Sequence, residues 1–88
     1  MQQMQEVDKI LYKMGYYDSD PQKQAEVQGY IDEATEFMRE SGVPAHKLTS
    51  ARAYTVKSIW ADYRDKGDDD KIVKKDGMIV ALISQLKR

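Results

Sequence analysis

ATEFMRESGVPAHKLTSARAYTVKSIW, residues 34–60, is the stretch that decides the fold. Ala34, Phe37 and Met38 sit at helical spacing and close a run that already carries Val27, Tyr30 and Ile31 on the same side. Gly42 stops that run, because glycine readily enters the left-handed backbone region that ends a helix, and Pro44 forbids a simple continuation. After a turn through His46 and Leu48, Thr49 or Ser50 offers a side-chain oxygen to the free amides of a new helix. The new helix presents Ala53, Val56, Ile59, Trp60 and Tyr63 on its inner face and extends to about Lys66, before Gly67.

Working outward, Asp20-Pro21 starts the first of these helices: Asp20 suits the capping position and Pro21 the first helical one. Upstream, a helix over about residues 3–14 places Met4, Val7, Leu11 and Met14 on one face with Ile10 beside them, and Gly15 fits its end. Tyr16-Tyr17-Asp18-Ser19 then forms a polar–aromatic turn. Downstream, Asp68-Asp69-Asp70 is an exposed loop or the acidic start of the next helix. The apolar run from Met78 to Ile83 admits a buried strand or a helix. Its continuation to Leu86, at helical spacing from Ile79 and Leu82, and the basic Lys87 and Arg88 at its end favour helix. That helix begins near Asp69, or near Gly77 with Asp76 as its cap. The expected fold is therefore all-α, a compact bundle of about four short helices in one domain spanning residues 1–88. Its core is expected at Ile31, Ala34, Met38, Val56, Ile59, Trp60, Leu82 and Leu86.

Composition narrows the function classes. Eighty-eight residues bury a modest core, so association with other subunits is a natural source of added stability. Fourteen basic and fifteen acidic side chains leave a net charge of −1, which offers no overall electrostatic case for nucleic acid. There is no cysteine, and no apolar run approaches the roughly 20 residues of a membrane span. The opening Met1-Gln2-Gln3-Met4-Gln5-Glu6 lacks the basic and apolar regions of a secretion signal, so a soluble chain of the cytoplasm is expected.

No constellation for catalysis is visible. His46 is the sole histidine and has no cysteine or second histidine to work with, so it reads as a solvated loop residue. The acidic pairs Asp32/Glu33 and Glu36/Glu40 read first as the solvent face of the second helix. No enzyme activity, cofactor or metal is expected. Charge is nevertheless segregated. Residues 21–42 carry five acidic and two basic side chains, residues 49–66 four basic and two acidic, and residues 72–88 four basic and one acidic. Asp62 and Asp65 interrupt the basic side chains of the third helix, which makes a groove-reading helix a weak interpretation. Sequence-specific nucleic-acid binding is not expected. Head-to-tail contact between identical subunits suits the segregation better, with Glu33 and Glu36 on one side and Lys87 and Arg88 on the other.

Two further faces are candidates for a partner. Tyr54 projects nearly opposite the inner stripe of its helix, alongside the small Ser58 and Ala61, either as a second packing face or as an ordinary half-exposed tyrosine. Met78, Val80 and Ala81 point away from Ile79, Leu82 and Leu86, more apolar surface than one small bundle covers.

Taken together and in order, Ala34, Phe37 and Met38 before Gly42-Val43-Pro44, then Leu48, Ser50 and Ala53, then Ile59, Trp60 and Asp62, and finally Gln85-Leu86, resemble the small helical head–tail connector (adaptor) proteins of tailed bacteriophages and prophages. The resemblance covers about residues 25–86. It implies a structural virion component: a ring of identical subunits under the portal protein that extends the DNA channel and docks the next neck or tail-completion protein. Family members are often labelled DNA-packaging proteins and perform no chemistry. The implied location is the virion neck, and the host cytoplasm during assembly. A small helical DNA-binding or regulatory protein of a mobile element is the alternative, and a helical adaptor of a cellular complex ranks third.

Overall fold

Local chemistry sets each boundary in the computed structural model, which describes residues 5–18, 20–72, 74 and 77–88. Helix α1 spans Glu6–Lys13, α2 Pro21–Glu40, α3 Ala51–Lys66 and α4 Met78–Leu86, with single 3-10 turns at Ala45–Lys47 and Asp69–Lys71. Among the described residues there is no strand, and four helices pack as an all-α bundle. Asp20 caps α2, its carboxylate accepting from the Lys23 amide at 2.8 Å, with Pro21 at the first helical position. Ser50, not Thr49, caps α3. Its hydroxyl oxygen accepts from the Ala53 amide at 3.2 Å while donating to the Lys47 carbonyl at 2.7 Å.

The first three helices end in the same way. After α2, the Gly42 amide donates to the Arg39 carbonyl and the Val43 amide to the Met38 carbonyl. This pair of hydrogen bonds satisfies two of the last carbonyls and places Val43 against Met38 in the core. The paired bonds recur after α1 (Gly15 to Tyr12, Tyr16 to Leu11) and after α3 (Gly67 to Arg64, Asp68 to Tyr63). The closure needs a positive φ, 101° at Gly42, which a side chain would strain.

The acidic triplet does not open a long helix. Asp69 and Asp70 form a 3-10 turn that delivers Ile72 to the core, and α4 begins only at Met78. The expected cap at Asp76 and the apolar position Met4 lie outside the described residues.

The helices α2 and α3 run antiparallel, the start of α2 meeting the end of α3 through Lys23 and Asp65. Between them and α4 lies the larger core cluster, with Ala34, Met38, Ala53, Val56, Trp60, Ile72, Ile79, Ile83 and Leu86. A smaller cluster joins Val7, Ile10 and Leu11 of α1 to Val27, Ile31 and Ala61. Thus α3 is buried on two sides, a pattern that erases the single apolar stripe of a surface helix.

Of the positions expected in the core, Ile31, Ala34, Met38, Val56, Trp60 and Leu86 are buried, whereas Ile59 and Leu82 are half-buried at its edge. The reason is rotation of α4 about its axis. Ile79, Ile83 and Leu86 face inward, so Ile83 fills the place assigned from the sequence to Leu82. Ile59 lies toward the outer strip of α3. Trp60 packs against Phe37 with ring centroids 5.2 Å apart. Truncating Trp60 to Ala is expected to cost about 3–5 kcal/mol. Thermal melting monitored by circular dichroism checks this, and a near-unchanged midpoint would contradict the packing.

Candidate functional site

Packing three helices around α3 leaves one strip of it uncovered, and this strip forms the floor of a groove of about 400 Å³. Ile59, Asp62, Tyr63 and Lys66 make the floor, with the buried Ser58 at the edge that α1 covers. Lys13 and Met14, at the end of α1, form one wall, and Met78, at the start of α4, the other. Met78 is 58% exposed and leaves apolar surface open along the groove. Lys66 donates to Asp62 one turn back at 3.1 Å, and the Lys13 ammonium lies 5.5 Å from the centre of the Tyr54 ring. The rim therefore carries two cations and one carboxylate.

A second apolar feature stands on the opposite side of α1 from its buried residues. Tyr12 and Tyr17 are 61% and 70% exposed and stack edge to face, their centroids 4.7 Å apart. Tyrosine turned to solvent on a helix whose other face already packs has no role in the core.

The structure redistributes the surfaces read from the sequence. The face bearing Tyr54, Ser58 and Ala61 is covered by α1 of the same chain. Ala61 is fully buried, Ser58 is buried with its hydroxyl donating to the Tyr54 carbonyl, and Tyr54 packs against the smaller cluster. Its occupant is intramolecular, because Val7, Ile10 and Leu11 need that surface. Glu33 is likewise engaged within the chain. Its carboxylate accepts from Arg64 at 3.1 and 3.2 Å and from the Trp60 indole at 3.4 Å. Glu36 pairs with Arg39 at 3.0 Å on the same helix. Lys87 and Arg88 are exposed, with no ion pair among the described residues. A side-chain carbon on Gly42 would lie 3.6 Å from the Lys87 chain, so the basic end adjoins the end of acidic α2. On α4, Ala81 is exposed, Val80 half-buried and Met78 on the groove wall.

Two polar clusters hold α1 and the turn after it in place. Lys57, only 5% exposed, reaches the Glu6 carboxylate at 3.2 and 3.3 Å, so a buried ammonium is answered by the first turn of α1. At the C-terminal end of α3, Asp65 accepts from the Lys23 ammonium and from the Tyr16 hydroxyl at 2.6 Å, and the same ammonium lies 4.5 Å from the centre of the Tyr16 ring. Burial alone would push the Asp65 carboxyl up, but the bonds from Lys23 and Tyr16 outweigh it and hold its pKa below the ordinary 3.8. The bond to Asp65 raises the pKa of Lys23.

The sequence does not reveal this cluster, since Tyr16, Lys23 and Asp65 lie 7 to 49 positions apart. The groove walls are equally distant in the chain. Tyr12 carried a local signal: it is a lone aromatic opposite Val7, Ile10 and Leu11 on α1.

Among the described residues no group of three or more histidine, aspartate or glutamate side chains is placed to hold a metal ion, and no described helix is long and apolar enough to cross a membrane. Comparison with known proteins finds no matching family model, no similar curated protein and no similar solved structure.

The Asp65 cluster generates a pH signature. A carboxyl held below its ordinary pKa in the folded state stabilises the fold fully above about pH 4, and that contribution is lost as pH falls through the depressed value. Asp65→Asn is expected to remove about 1–2 kcal/mol at pH 7, or roughly 5–10 °C in melting temperature for a domain of this size. Melting curves of both proteins from pH 7 to pH 2 should converge below the ordinary carboxylate value. A gap that persists unchanged into strong acid would contradict the charge-assisted bonds.

Proposed function

We propose that this chain is a structural subunit of the neck of a tailed bacteriophage or prophage: a head–tail connector, without enzymatic activity, that joins copies of itself into a ring under the portal protein. In that role it continues the DNA channel and presents a docking surface to the next neck or tail-completion protein. It resides in the virion neck and, during assembly, in the host cytoplasm. It needs no cofactor.

The observation that carries this reading is the ordered motif from Ala34 to Trp60, whose residues fall together as one packed unit. Ala34 and Met38 end α2, Gly42 and Val43 close it, Leu48 covers the turn, Ser50 caps α3, and Ala53 and Trp60 return against α2. The connector resemblance rests on those residues in that order. The groove along α3 and the exposed Tyr12 on α1 and Tyr17 in the turn after it add support, because a ring subunit requires a surface on each of two sides.

Purified chain mixed with the portal protein encoded near it should co-sediment with the portal ring. Deleting the gene should leave filled or leaking heads without tails. Normal tailed particles from the deletion would overturn the role. Binding of the pure protein to duplex DNA that weakens steeply with salt would favour the DNA-binding alternative.

A further inference from the structure

We propose that one copy of this chain binds the next by seating the Tyr12–Tyr17 pair in the groove between α1, α3 and α4. This names the contact through which copies would join in a connector ring, and to that extent rests on the reading above.

Three observations converge on a second copy as the occupant. Tyr12, Tyr16, Tyr17 and Met78 are the exposed large apolar side chains of the described chain. Tyr12 and Tyr17 make the projection, and Met78 forms a wall of the recess. A molecule cannot fill its own groove in this way. Met14 lines the groove from the inner side of α1, while Tyr12 leaves the same helix on its outer side. The projection and the recess also match in charge. Asp18, exposed beside Tyr17, arrives at a rim on which Lys13 and Lys66 outnumber Asp62.

Tyrosine suits such a contact, having a broad apolar ring, few rotatable bonds to immobilise and a hydroxyl that stays hydrogen-bonded at the edge. The groove supplies Met14, Met78 and Ile59 for the ring faces. Because the projection and the recess are different surfaces, the contact is heterologous. Each added copy exposes the same two surfaces again, so the chain grows until it closes into a ring or continues as a filament.

The absence of cysteine from the sequence gives a clean test. Tyr17→Cys and Met78→Cys are made singly and together in the full chain, with Glu40→Cys on exposed α2 as the control, and oxidised at about millimolar concentration, where even a weak contact is populated. The two single variants, mixed, should form a disulfide-linked pair well above the level of either variant mixed with the control. The double variant should form a ladder of dimers, trimers and larger species. In sedimentation equilibrium, Tyr17→Ala should weaken self-association of the otherwise unaltered chain by roughly 10-fold or more, with its melting unchanged. Cross-linking at the control level would overturn the proposal, as would Tyr17→Cys pairing with itself as readily as with Met78→Cys. A ladder without portal binding would keep the contact and remove the phage assignment. Portal binding without a ladder would do the reverse.

Discussion

The double burial of α3 is the constraint on which the rest of the molecule depends. Ala53, Val56 and Trp60 face α2 and α4, while Ala61 faces α1, so two sides of the helix are covered within the chain. Its small residues make this feasible. Alanine at positions 53 and 61 and serine at 58 let neighbouring helices approach closely. Polar groups inside such a helix must be answered locally. Ser58 donates to its own helix, and Lys57 is met by Glu6 from α1. The groove follows from the same constraint, because it is simply the strip of α3 that three neighbours cannot reach.

Charge then fixes how the neighbours sit rather than how strongly they hold. Arg64 and Asp65, adjacent at the end of α3, reach in different directions, one to Glu33 and Asp69, the other to Lys23 and Tyr16. The more exposed Arg64 pairs contribute about 0–1 kcal/mol each, less than the part-buried Asp65 cluster. Their value lies in register: they pin the antiparallel alignment of α2 and α3 and the return of the chain after Gly67. Acidic α2 therefore has fewer uncommitted charges than its composition suggests, since Glu33 and Glu36 already have partners.

Much of the fold was legible because it is written in neighbouring residues. Asp20-Pro21, the glycines after each of the first three helices, and the serine before Ala51 act within one turn of where they stand. The period of the apolar positions placed most of the core. Illegible were the features that depend on which helix lies beside which. Read alone, Tyr54 beside Ser58 and Ala61 allows a partner face or an ordinary half-exposed tyrosine, because nothing local says that the short apolar face of α1 meets it. The rotation of α4 that favours Ile83 over Leu82 is of the same kind. In an almost wholly apolar helix, several orientations satisfy the local pattern and only the opposing surface selects one. The candidate site belongs to this second category, since its walls come from α1 and α4 and its floor from α3.

The separation of the core into two clusters also has a consequence for how the molecule loosens. The larger cluster closes α2, α3 and α4 without any contribution from α1, whereas α1 is held by the smaller cluster, Glu6 and the turn around Tyr16. Its eight residues are too few to persist as an isolated helix once those contacts open. The described chain thus packs as two apolar clusters that share α2 and α3 as a wall. Amides in α1 are expected to exchange with solvent through a sub-global opening, while those facing Met38 and Trp60 are expected to wait for the whole domain to unfold.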